Sequence, residues 1–110
     1  MTFSTEKNGE KLRIRLQGEI DHHNAAEVRA RIDRILETEM PEVFYFNLAG
    51  VTFCDSSGLG LVMGRMRKCG QIDAVLIVES PSEAVVNILN IAGMDKLIRI
   101  ERSNGNGKAS

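Results

Sequence analysis

The sequence predicts an α/β domain, a mixed and mostly parallel sheet of four to five strands with packed α-helices. Three observations lead there. The hydrophobic period switches between about 2 and about 3.6 residues several times along the chain. After an opening pair of strands, helical and strand patterns alternate, an order that favours parallel pairing. The 110 residues suit one domain with one core.

The first clear strand is Lys11-Leu12-Arg13-Ile14-Arg15-Leu16-Gln17. Leu12, Ile14 and Leu16 share one face, Arg13 and Arg15 the other, and Gly18 closes the run. Residues 2–7 can pair with it through Asn8-Gly9, a strong hairpin dipeptide. Val28, Ile32, Ile35 and Leu36 then form one helical stripe, with Glu27, Arg29, Arg31, Arg34 and Glu37 on the wet face. Asn24 and Glu27 resemble a capping box, Asp21 is a rival start, and Pro41 closes the helix region.

Val43-Phe44-Tyr45-Phe46-Asn47-Leu48 is rich in aromatic and β-branched residues and reads as an interior strand, followed by a polar turn. Leu59, Val62, Met63 and Met66 give the next helical stripe. Arg65, Arg67 and Lys68 are expected to point away from it, and Gly70 to end the helix. Ala74-Val75-Leu76-Ile77-Val78 suits a strand covered on both faces. Ser80-Pro81-Ser82-Glu83 predicts a capped start for a helix through Val85, Ile88, Leu89 and Ala92, ended by Gly93. Leu97-Ile98-Arg99-Ile100 is a short last strand or helix, and residues 103–110 read as a flexible tail.

Composition excludes several classes. There are 14 Lys plus Arg against 15 Asp plus Glu, a net charge of −1, which disfavours a nucleic-acid binder. No apolar run approaches the ~20 residues of a membrane span. The first residues lack a signal-peptide core, so the expected compartment is the cytoplasm. Cys54 and Cys69 lack metal-ligand spacing and read as free thiols, so no metal or cofactor is expected.

The chemistry concentrates in Asp55-Ser56-Ser57-Gly58-Leu59-Gly60, between a strand and a helix. Asp and Ser are common helix caps. A cap, however, needs one hydroxyl where two stand here, and Gly58 and Gly60 each weaken a helix by about 1 kcal/mol relative to Ala. Glycine there makes sense if another surface approaches the backbone. No phosphate-binding loop fits, because no Lys follows the glycines, and no nucleophile elbow fits, because Cys54 stands where that motif needs Gly. A second constellation is Gly18-Glu19-Ile20-Asp21-His22-His23. The adjacent His22 and His23 lack a third ligand and read as solvated loop residues. Loops at the carboxyl ends of parallel strands lie together, which would make the Asp21 and Ser56 loops neighbours. Cys54 reads as a small buried residue at a strand end, with a reactive thiol as the alternative.

With Asn47-Leu48, Phe53-Cys54 and Ser80-Pro81, these two segments resemble the anti-sigma factor antagonists of the STAS family, the sporulation members above all. The likeness spans the STAS fold over 1–102. Cys54 and Gln71-Ile72-Asp73 depart from the usual pattern without touching the central motif. The resemblance implies a partner switch. The unphosphorylated protein binds an ADP-loaded anti-sigma factor that is also a Ser protein kinase, and thereby frees a sporulation sigma factor. Phosphorylation by that kinase, with ATP, falls on Ser56, and a PP2C-type phosphatase reverses it. Asp21, His22, His23, Asp55, Ser57, Gly58, Leu59 and Gly60 are then expected to meet the partner. The chain would have no catalytic residues and would be monomeric when free. The alternatives are an antagonist in a general stress-response switch and a small hydrolase or nucleotide-binding protein using Ser56 or Cys54.

Overall fold

The computed structural model describes residues 1–102. The order is β1 (Thr2–Asn8), β2 (Lys11–Ile20), α1 (Ala25–Glu39), β3 (Val43–Cys54), α2 (Ser56–Gln71), β4 (Val75–Glu79), α3 (Glu83–Ile91), a 3-10 turn at Met94–Lys96, and β5 (Arg99–Glu101). The expected tail at 103–110 lies outside the described residues.

β1 and β2 form the expected hairpin, with Asn8 opposite Lys11 and Gly9 at φ +64° in the turn. β2, β3, β4 and β5 run parallel, and the sheet order follows the chain, β1-β2-β3-β4-β5. The alternation of side chains sorts the sheet into two unlike faces. Leu12, Ile14, Leu16, Phe44, Phe46, Leu48, Leu76 and Val78 are buried against Val28, Ile32 and Leu36 of α1, Leu61 and Val62 of α2, and Val85 and Leu89 of α3. All three helices therefore share one face.

The expectation that β4 is covered on both faces does not hold. Val75 on the open face is 57% exposed. Ile77 is buried on that same face, outside the main core cluster, beside Tyr45 and Arg99 of the flanking strands. Long polar side chains give this face its cover. Arg13 lies 4.7 Å from the Tyr45 ring centroid and donates two hydrogen bonds to Glu79, at 2.7 and 2.9 Å. Asn47 Nδ2 adds a third at 3.3 Å. Side-chain stems thus replace a second helical layer.

Several boundaries shift for identifiable reasons. β2 continues through Gly18, which adopts φ +120°, and reaches Ile20. β3 continues to Cys54, where the sequence suggests a turn after Leu48. β3 carries an extra residue relative to β2 at two places, opposite Arg15–Gln17 and Gly18–Glu19, and such bulges break the period-two pattern. α2 passes Gly70, and Asp73 takes the left-handed conformation instead, at φ +58°. α3 is capped by Ser82, whose side chain accepts from the Val85 N–H, while Ser80 sits at φ +53° before Pro81.

Arg65 is the largest correction. The stripe pattern sends it to solvent, yet it is only 4% exposed and faces α1. Its Nη2 donates to Asp33 Oδ2 at 3.2 Å. Nε lies 2.9 Å from Asp33 Oδ1, close enough for an ion pair but too bent for a hydrogen bond. One rung further on, Lys68 pairs with Glu37. α1 and α2 each follow a strand of the same direction, so they run side by side with these pairs as cross-links.

Removing Asp33 alone would strand a buried guanidinium. Asp33→Ala is expected to cost about 2 kcal/mol in urea unfolding, whereas Asp33→Leu with Arg65→Met recovers most of that loss. The Arg13 hydrogen bonds hold the Glu79 carboxyl below its ordinary value of 4.5. A depressed carboxylate stabilises the fold above its unfolded-state value, and that contribution is lost as pH falls through the folded-state value. Glu79→Gln is therefore expected to flatten the fall in stability below about pH 4.5, measured by urea midpoints across the acid range.

Candidate functional site

The site is built at the carboxyl ends of β2 and β3. Ile20 pairs with Cys54, and the Asp55 N–H donates to Ile20 O at 3.2 Å. The last β2–β3 rungs therefore bring the segments after each strand side by side. In the first, Asp21 Oδ1 accepts from the His23 and Asn24 N–H groups at 2.9 and 3.1 Å. Asn24 Oδ1 accepts from the Asp21 N–H at 3.1 Å, and Asn24 Nδ2 donates to Glu19 O at 2.7 Å. Asn24 thus locks the turn and makes no cap with its side chain. Asp21, the rival start, organises the turn into α1. His22 and His23 are exposed, their ring centroids 4.0 Å apart.

In the second segment Asp55 caps α2. Its Oδ1 accepts from the Ser57 N–H at 2.8 Å and its carbonyl from the Gly58 N–H at 2.9 Å. The cap is complete without either serine hydroxyl. Ser56 is exposed at the first position of α2, and Ser57 is half-buried. The two glycines differ. Gly58 is buried, and a Cβ there would fall 1.8 Å from Cys54 Sγ. Its lack of a side chain is thus required by internal packing. Gly60 is exposed with open space where a Cβ would point.

Two hollows flank the first turns of α2. One is an apolar cavity of about 10 Å³ lined by Cys54, Gly58, Leu59, Val62, Val85 and Ile88, no larger than a single water and without polar partners for one. The other is an open groove of about 320 Å³ between α1 and α2. Ala25, Ala26 and Arg29 form one wall and Ser57, Gly60 and Leu61 the other, with His22 at its end. Of the residues expected from the sequence, Asp21, His22, His23, Asp55, Ser56, Ser57 and Gly60 gather on this end of the molecule. Leu59 is half-buried toward α3. The sequence pattern passes over two neighbours. Phe53 is 52% exposed immediately before the motif, because a bulge turns it outward. Arg29 reads from its helical position only as a solvated charge.

The Cys54 thiol has the wrong character for a nucleophile. Burial, reinforced by the Asp55 charge, raises its pKa, so it stays protonated near neutrality. Cys69 is buried and pushed up to about 11 by desolvation. Both are free thiols. Among the described residues no group of three His, Cys, Asp or Glu side chains is placed to hold a metal ion. No helix among them is long and apolar enough to cross a membrane.

This arrangement, a capped serine pair at the head of a helix beside an Asp-His-His turn, coincides with a family match over most of the chain. Residues 2–106 match the STAS domain, and the chain belongs to that family. Among the proteins it resembles within that family are anti-sigma factor antagonists. The chain is 37% identical over 81 residues to the anti-sigma F factor antagonist of Lysinibacillus sphaericus, covering 74% of this chain and 69% of that one. The solved structure of the antagonist SpoIIAA in its unphosphorylated form matches with a TM-score of 0.72 and 28% identity, covering 94% of this chain and 91% of that one. The phosphorylated form of Bacillus SpoIIAA matches with a TM-score of 0.72 and 30% identity, covering 93% of each chain.

The contact between Gly58 and Cys54 makes a test of the site's packing. Gly58→Ala is expected to destabilise the fold by about 1–3 kcal/mol despite the better helix propensity of Ala. Adding Cys54→Ala should recover at least about 1 kcal/mol relative to Gly58→Ala alone, read from thermal or urea unfolding of the double-mutant cycle.

Proposed function

We propose that this chain is a phosphorylation-controlled anti-sigma factor antagonist of the sporulation type. The unphosphorylated form binds an ADP-loaded anti-sigma factor that is also a Ser kinase, and so releases the sigma factor. The kinase phosphorylates Ser56, binding ends, and a PP2C-type phosphatase restores the binding form. The chain acts in the cytoplasm as substrate and binder, without chemistry of its own.

The observation that carries this reading is the position of Ser56. It is the exposed hydroxyl at the head of α2, free of the cap that Asp55 completes. A kinase can reach it without unfolding the helix. The existence of both unphosphorylated and phosphorylated forms of the similar SpoIIAA supports the same switch here.

The physics of the switch follows from charge. A phosphate adds about 1.5 to 2 negative charges. The α2 N-terminus tolerates that charge, because its N–H groups and dipole favour anions. The fold has no need to rearrange. The new charge stands beside the Asp55 carboxylate, however, and a partner that covers this end would have to desolvate both. A loss of about 3 kcal/mol is a hundredfold or more in affinity.

Ser56→Ala should bind the anti-sigma factor and take up no phosphate from ATP, as read by mass spectrometry. Full phosphate incorporation in that variant would move the site to Ser57. Ser56→Asp should fold as the parent does and bind at least about tenfold more weakly. Full affinity in Ser56→Asp would refute the charge mechanism.

A further inference from the structure

The α1–α2 cross-links form a ladder, and its last cation lacks an acid. Asp33 and Arg65 are 32 positions apart, and Glu37 and Lys68 are 31 apart. The same spacing carried back toward the site sets Arg29 opposite Leu61 and Ala25 opposite Ser57. All four of these residues line the 320 Å³ groove. Two rungs are thus closed acid–base pairs, while the third offers a cation facing an apolar residue and Gly60. Arg29 is exposed and forms no ion pair among the described residues. It lies close enough to Arg65 to disfavour that group's charge. Arg65 itself keeps a buried Nη1 without a partner among the described residues. Of these two cations only Arg65 has an ion-pair partner among the described residues, and only Arg29 lines the groove. The small side chains of Ala25, Ala26 and Gly60 leave it empty of protein.

Resting on the reading of the chain as an antagonist, we propose that this groove receives an acidic side chain of the anti-sigma factor, an Asp or Glu that pairs with Arg29. The groove takes one carboxylate-bearing side chain with its apolar stem against Leu61 and Ala26, and the planar guanidinium suits a carboxylate bidentately. Ser57 and His22 line the same groove and can offer further donors. Arg29, opposite Leu61, thereby becomes a specificity residue about one and a half helical turns along from Ser56. The pairing also sharpens the switch. Ser56 precedes the groove residue Ser57, so a phosphate on Ser56 sets its negative charge near an incoming carboxylate. The acid drawn in by Arg29 is then the group that the phosphate repels.

The test measures binding of the ADP-loaded anti-sigma F factor from the same genome by calorimetry, in the Ser56→Ala background so that phosphorylation plays no part. Arg29→Ala should weaken binding about tenfold and Arg29→Glu about a hundredfold or more, with Arg29→Lys in between. The dependence of affinity on salt should shrink in Arg29→Ala. Charge reversal of one acidic residue on the partner should restore binding to Arg29→Glu and weaken binding to the parent. Circular dichroism and urea midpoints should stay at parental values, because Arg29 is exposed and forms no ion pair among the described residues. Equal affinity of the parent and Arg29→Glu would overturn this inference alone. Absence of binding by the parent itself would overturn the antagonist reading and this inference with it.

Discussion

The structure depends on β2 and β3 staying paired to their last residues. Twelve residues of β3 run beside ten of β2, and the bulges absorb the difference. Without them the strands would part near Leu48, and the Asp21 turn would hang apart from the head of α2. With them, the Asp55 N–H reaches Ile20 O, and two loops distant in sequence become one surface. The bulges disturb a regular ladder, and what they give is position. Irregular strand ends next to working surfaces are a recurrent device.

α2 is then fixed from both sides by different means. Toward α3 it is fixed by packing, since Cys54 fills the space that a side chain on Gly58 would need. Toward α1 it is fixed by charge, through the buried Arg65–Asp33 pair and the Lys68–Glu37 pair. Buried ion pairs contribute little net stability but specify register well. Here they set which residues of α1 and α2 face each other, and so they shape the groove beside Ser57. The serine loop is thus the end of a rigid element, held at a fixed height above the sheet. Such an element presents Ser56 and Ser57 in one fixed setting.

Much of this was legible in the residues. The switch of period at Gly58 located α2, the alternation around Ile14 located β2, and Asn8-Gly9 located the hairpin. The Asp55 cap and the neighbouring Asp21 loop followed from local chemistry and from the parallel order. What escaped depended on contacts between elements. Arg65 looks solvated on a helical wheel because a wheel shows one helix, and its partner Asp33 belongs to another. Phe53 and the true end of β3 were hidden by bulges, which erase the period that reveals a strand. The apolar run around Val75 does not say whether a second layer exists. Arg13, Tyr45 and Glu79 show that it does not.

The sequential order of the strands has a consequence in time. Every strand of the sheet lies beside the one that precedes it in the chain. Each new strand can dock on an edge already in place, and no strand must wait to be inserted between two others. Loop closure then involves one hairpin or one helical crossover at a time, which keeps the entropic barrier to each step low. β3 leads into the serine loop and is the middle strand, so half of its neighbours precede it and half follow. The serine loop therefore takes its final setting only as the second half of the chain is added. A chain cut short within β4 would lack Val85 and Ile88, which pack beside Cys54, Gly58 and Leu59 at the head of α2.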